Sequence, residues 1–269
     1  SVQSNTTLTV TGVKLTRGAS KGIGGCVFTG GVFNFINGEI SNCSGTHGGA
    51  IYSTNTINLV GSTVKTNTAQ VAGGGIYSDG LFLVTDSIVE QNSSPSVGGI
   101  WNAADRTSTL TRTIVRGNTS SASAGGIYNG GTLNFYYSTL SGNTAQAGGG
   151  LVNDGFSNFV NSTVSGNTAT DNKGAGIYNG ASRVLHLLNT TITVNYAAAF
   201  AGAGIWNENF GYPTPTVRAR NTIIAGNQAD AGNPMDHVGD LTNLGNNIVN
   251  SPNPGLAPLG NYGGPTPTH

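Results

Sequence analysis

Charge is scarce in this chain. Only 8% of its 269 residues are Asp, Glu, Lys or Arg, and 11 basic side chains balance 11 acidic ones. Nucleic-acid binding needs a clustered basic face, and an anionic membrane surface attracts the same cations, so neither partner is expected. Long hydrophobic runs are missing too. No segment approaches the roughly 18 continuous apolar residues of a membrane-spanning helix, so membrane insertion is not expected. The two cysteines, Cys26 and Cys43, have no metal-ligand spacing, and no metal or other cofactor is expected. No stretch shows helical periodicity with a cap, which excludes helical solenoids. Few lysines among abundant Asn, Thr, Ser and Gly fit an extracellular protein. A start at Ser1, without Met or a signal segment, reads as a processed or excerpted piece.

What the chain does have is repetition. GGCVF at 24–28 returns as GGAIY at 48–52, GGGIY at 73–77, VGGIW at 97–101 and AGGIY at 124–128. GGGLV at 148–152, GAGIY at 174–178 and GAGIW at 202–206 follow, so the steps are 24, 25, 24, 27, 24, 26 and 28 residues. An aliphatic-x-x-Asn string travels in phase with it, ending at Asn67, Asn92, Asn118, Asn143, Asn167, Asn195 and Asn227. Self-similarity at this period is the mark of a repeat architecture.

Between the landmarks the pattern alternates with period two, which means strand. Counting back from each Asn, the third residue is aliphatic (Val64 to Ile224), the fifth is Ser or Thr (Ser62 to Thr222), and the eighth is mostly apolar (Leu59 to Ala219). These positions are expected to face inward. The second back is polar (Lys65, Glu90, Arg116, Ser141, Ser165, Thr193) and is expected to be wet. Two or three short strands with Gly or Asn corners, in 24–28 residues, fit one coil of a parallel β-helix. Parallel crossovers are almost always right-handed. The fold expected is therefore all-β: a right-handed, single-stranded parallel β-helix of about 9–10 coils. Residues 1–235 hold the repeats, and 236–269 hold the last strands and an irregular Pro/Gly-rich tail of the same domain. Three glycines against a strand make sense here, because a stacked corner has no room for a side chain.

Stacked slots make ladders. Asn102, Asn129, Asn153, Asn179 and Asn207 follow one slot, and the landmark Asn residues form another; both are expected to be structural. Asn161, Asn189 and Asn221 form a third run, expected to face out, and Lys65, Glu90 and Arg116 align with alternating sign. The aromatic slot (Tyr52, Tyr77, Trp101, Tyr128, Tyr178 and Trp206, interrupted by Val152) is the candidate binding feature. Such rings either stack on sugars or on each other. Cys26 and Cys43 lie in the first full coil and are candidates for a disulfide pinning that end, given an oxidising location.

Two strings carry a resemblance. GGAI at 48–51, with the aliphatic-x-x-Asn strings, resembles the paired GGA(I/L/V) and FxxN repeats of chlamydial polymorphic outer-membrane proteins, with Val, Leu or Ile replacing Phe. The tail GLAPLGNYGGPTPTH at 255–269 is similar to the C-terminal block of bacterial choice-of-anchor Q domain proteins. The resemblance implies a bacterial, secreted or surface-attached right-handed β-helix with an adhesive or structural task. This chain stops at His269, where such proteins continue into an anchor.

Catalysis is the competing expectation, since pectate-lyase-like β-helices cut polysaccharides. That chemistry needs clustered acids, as calcium ligands or as an acid and base pair. No two acids share a slot in adjacent coils; Asp79 and Asp154 are three coils apart, and Asp236, His237 and Asp240 form the single dense group. The expected function is non-enzymatic: an extracellular structural or adhesive rod. Its expected partners are a second copy, stacked end to end into a filament, or a surface glycan or cell-surface ligand. A bare partial coil at 1–23 motivates the stacking, and a tail folded over one end as a cap is the alternative to it.

Overall fold

The computed structural model describes residues 1–198, 202–208, 216–230, 233–251 and 253–269. Among them there is no α-helix. The chain winds through about nine turns of a parallel β-solenoid. Each full coil carries four short strands rather than two or three, and these build four parallel sheets. The first sheet has nine strands, from Val27–Thr29 to His237–Val238; the second has ten, from Thr7–Thr11 to Thr242–Asn243. The third has ten, from Lys14–Thr16 to Ile248–Val249, and the fourth has seven, from Ser44–His47 to Tyr196–Ala197. Every strand pairs in parallel with its counterpart one coil away, so like positions stack. Ile76, for example, lies between Ile51 and Ile100.

One core runs the length of the solenoid. Val64, Val89, Val115, Leu140, Val164, Ile192 and Ile224 are fully buried from the third sheet, as their alternation requires. The second sheet, which precedes the third by a two-residue corner, contributes Phe35, Leu59, Val84, Leu110, Phe135, Phe159, Leu187 and Ala219. The Ser/Thr row is buried as well, and it does more than fit. The Ser87 hydroxyl accepts the Ser62 N–H at 3.0 Å and that of Ser138 accepts the Thr113 N–H at 3.0 Å. Each hydroxyl thus pairs a corner amide that would otherwise be buried without a partner, a cost of about 1–3 kcal/mol.

The glycine strings occupy the corner between the fourth and first sheets. A Cβ on Gly74 would collide with the carbonyl oxygens of Gly98 and Ser93 in the next coil. Floppy residues stand against strand formers because the coils approach backbone to backbone there. Ala175 and Ala203 fill the same slot in later coils, packed with Ala169 and Ala197.

The outer face of the third sheet departs from expectation. Glu90 and Arg116 are ion-paired at 2.8 Å, while Lys65 reaches back to Glu39 rather than to its register neighbour Glu90. Ser141, Ser165 and Thr193, expected to be wet, are buried. Against this face lies the C-terminal tail, which among the described residues runs along the side and not over an end. It leaves the last coil and folds back along the side of the solenoid. Thr139 Oγ1 donates to the Pro267 carbonyl, Thr163 and Thr268 share a 3.1 Å hydroxyl bond, and Ser165 Oγ lies 2.6 Å from His269 Nε2. A two-stranded bridge between Gly260 and Thr268 steadies the strap.

Candidate functional site

The aromatic residues project from the outer face of the first sheet, because each follows an inward Ile or Leu by one residue. Strand register brings Tyr52, Tyr77, Trp101 and Tyr128 into one column, which Phe28 extends at its start. Successive ring centroids are 6.1, 5.0, 5.2 and 4.3 Å apart, with interplanar angles of 24°, 7°, 5° and 20°. Offset-stacked rings contribute about 0.5–1.5 kcal/mol per pair beyond their buried area. Val152 breaks the column; Tyr178 and Trp206 continue it beyond.

The consequence for chemistry is geometric. A sugar stacks on an aromatic face, and here Tyr52, Tyr77 and Trp101 each have a ring on both sides. Tyr128 has Trp101 on one side and Val152 as its register neighbour on the other. What the column offers to solvent is ring edges. Inward, the same rings cover the small-residue corner: Trp101, Tyr128 and Tyr178 pack on Val97, Ala124 and Val152, and Trp206 packs on the alanine cluster. The indole nitrogens of Trp101 and Trp206 are shielded from solvent, with no hydrogen-bond partner among the described residues.

The tyrosine hydroxyls are tied to acids one coil on. Tyr52 donates to Asp79 at 2.6 Å, Tyr128 to Asp154 at 3.0 Å, and Tyr178 to Glu208. Lys173 lies 3.3 Å from Glu208 and over the Tyr178 ring. Burial, and then the neighbouring carboxylate, pushes these phenols up, Tyr128 to about 12 and Tyr52 and Tyr178 further. All three stay protonated as donors at neutral pH. Beside the column, Tyr77, Trp101 and Tyr128 border a groove of about 380 Å³ with Asp105, Asp154 and Arg183 on its rim. Sequence spacing did hold a signal for the acid partners: Asp79, Asp154 and Glu208 each stand two residues after the aromatic slot. Phe28 was missed because the first coil reads CVF instead of GIY.

The polar ladders are internal fittings. In the landmark column, Asn118 donates both its backbone N–H and its Nδ2 to Asn143 Oδ1, at 2.9 and 3.0 Å, and Asn143 repeats this toward Asn167. Each Nδ2 also donates to an aliphatic carbonyl of the previous coil, as Asn143 does to Val115 at 3.0 Å. The column is plugged at both ends. Cys43 takes the Asn slot in the first full coil, donates its N–H to Asn67 at 2.9 Å, and is disulfide-bonded to Cys26. At the other end Asp236, 2% exposed, accepts the N–H and Nδ2 of Asn227 on Oδ1 at 2.8 and 2.9 Å. Burial pushes the Asp236 carboxyl up, and its Oδ2 has no partner among the described residues. Asp236 therefore serves as a terminal member of the ladder. Among the described residues no group of three His, Cys, Asp or Glu side chains could hold a metal. A second buried ladder runs Asn102, Asn129, Asn153, Asn179, Asn207 at 2.7–2.9 Å. The third, Asn161, Asn189 and Asn221, is exposed and hydrogen-bonded, and Asn246 extends it.

No protein-family model, curated protein or solved structure matches this chain. The resemblance at 48–51 and 255–269 is carried by short strings alone.

Proposed function

We propose that this chain is an extracellular structural rod, not an enzyme, and that its coils continue into a second copy stacked end to end. The observation that carries the reading is the path of the tail. By lying along the side, residues 253–269 leave the edge strands Thr242–Asn243 and Ile248–Val249 uncovered among the described residues. Leu241 and Val249 stand at that end as partly buried core residues, and Leu8, 43% exposed, stands at the other with Val10 and Leu15. Unpaired strand edges are templates for another chain, and a heterologous head-to-tail contact gives an open filament. The disulfide supports an oxidising, extracellular location. Electron microscopy of concentrated protein tests this. Filaments one solenoid wide that disperse in a Leu8→Asp variant are expected; dispersed short particles at every concentration would refute stacking.

A second reading, polysaccharide binding at the aromatic column, is favoured by the groove beside Trp101. Edge-on rings and the rim groups Asp105 and Arg183 would meet sugar hydroxyls in the ring plane rather than by stacking. Glycan-array binding that survives Trp101→Ala with Trp206→Ala would remove it. Turnover of polygalacturonate or alginate would overturn the non-enzymatic reading.

A further inference from the structure

The outer face of the second sheet carries a cluster that none of the ladders uses. Register stacks Asn158, His186, Arg218 and Thr242 in one outward column, and Val160, Leu188 and Arg220 in the next. Asn158, His186, Leu188, Arg218, Arg220 and Leu244 line a cleft of about 310 Å³. Five cations are ion-paired, Lys14 and Lys65 at Glu39, Arg116 at Glu90, Arg112 at Asp86 and Lys173 at Glu208, whereas among the described residues Arg17, Lys21, Arg106 and Arg183 stand singly on other parts of the surface. Arg218 and Arg220 have no acidic partner among the described residues, and no acid lines the cleft. They project from one strand two residues apart, so their stems are separated by about 7 Å.

The other walls are not those of a simple anion site. Leu188 and Leu244 are 38% and 54% exposed beside the guanidiniums. His186 is held edge-on by Phe156 at 5.1 Å and 79°, and its Nε2 is shielded from solvent without a partner among the described residues. Burial, and then Arg218, lowers its pKa, so the ring is neutral at pH 7 and offers hydrogen bonds rather than charge. An inorganic anion would satisfy the arginines and leave Leu188, Leu244, Asn158 and His186 without use.

We propose that this cleft binds an acidic polysaccharide, with Arg218 and Arg220 taking carboxylates of uronate sugars. The guanidinium fork matches a carboxylate in bidentate geometry. Asn158 and His186 meet ring hydroxyls, and Leu188 and Leu244 cover the apolar side of a sugar ring. The site lies on a different sheet from the aromatic column.

Isothermal titration calorimetry with tetragalacturonate tests it, with maltotetraose and inorganic phosphate as parallel titrants. Tetragalacturonate is expected to bind, more weakly as salt rises, and to lose at least about tenfold in affinity in R218Q/R220Q. Leu244→Ser should weaken it without altering the salt dependence. Both substitutions are on the exposed face, so an unchanged circular dichroism melt shows that the fold is kept. Absence of binding, equal binding of maltotetraose, or phosphate binding as tightly as the tetramer would each overturn the proposal.

Discussion

Replacing Asn143 with Ala should damage this fold far more than a single amide suggests. Asn143 is fully buried. Its Oδ1 is the acceptor for the Asn118 N–H and Nδ2, and its own Nδ2 donates to Asn167 and to the Val115 carbonyl. The alanine variant strands two donors of Asn118 in a dry interior. At roughly 1–3 kcal/mol for each unsatisfied group, the expected cost is about 4 kcal/mol. Solenoid stability is a sum of repeat and neighbour terms, so a global melt would dilute the effect. Amide exchange at Asn118 reads it locally, and about 4 kcal/mol corresponds to about a thousandfold acceleration. The control is Asn189→Gly in the exposed ladder, which keeps a left-handed corner (φ 51°) and should fall within about 0.5 kcal/mol of wild type. Asn143→Asp separates acceptor from donor: it keeps the Asn118 bonds but turns a carboxylate oxygen toward Asn167 Oδ1 and the Val115 carbonyl. It should be destabilised at neutral pH and recover as pH falls. If Asn143→Ala costs no more than Asn189→Gly, the buried ladder is not what holds the coils together.

Asp236→Asn should stabilise the last coil. Burial raises the native pKa of Asp236, so the native state holds its proton more tightly than the unfolded chain and stability falls as pH rises through both values. The Tm advantage of the variant should be present at pH 7.5 and fade below about pH 4, near the unfolded pKa; an equal advantage at pH 3 would contradict the cause. Val194, a β-branched residue at φ 58°, stands where other coils place Gly117, Gly142 and Gly166. Val194→Gly should therefore raise stability by about 1 kcal/mol in urea titration. Opening the Cys26–Cys43 bond, which spans 17 residues, should cost about 3 kcal/mol. Exchange should quicken mainly in the first coils, and uniform loss of protection would argue against a local pin.

Much of the fold was legible because its constraints repeat. The Gly corners, the aliphatic third position and the landmark Asn recur at fixed offsets, and each offset has a single steric or hydrogen-bonding cause. The fourth sheet was not legible: strands such as Thr68–Ala72 (TAQVA) are built largely of small residues and carry no strong alternation. The strap over Ser165 joins residues 104 apart through a Pro-rich stretch without period, so Ser141, Ser165 and Thr193 looked solvated. Asp236 stood out in the sequence as part of the single dense acid and His group; its structural task shows only in its place at the end of the asparagine ladder. At the aromatic column, spacing gave the row but not the ring angles, and the angles decide whether a face is free. The arginine cleft escaped notice because Arg218 and Arg220 flank the inward Ala219 in outward slots that the two preceding coils fill with Asn158 and His186, and with Val160 and Leu188, so no charge recurs there.

The account rests on successive coils lying flat upon one another around a shared core. An experimental electron-density map tests this most directly. Ile51, Ile76, Ile100, Ile127, Leu151, Ile177 and Ile205 should occupy one inward column at about 4.8 Å spacing, beside an unbroken row of landmark asparagine amides. Those isoleucines divided among separate cores, or asparagine amides turned to solvent, would contradict it.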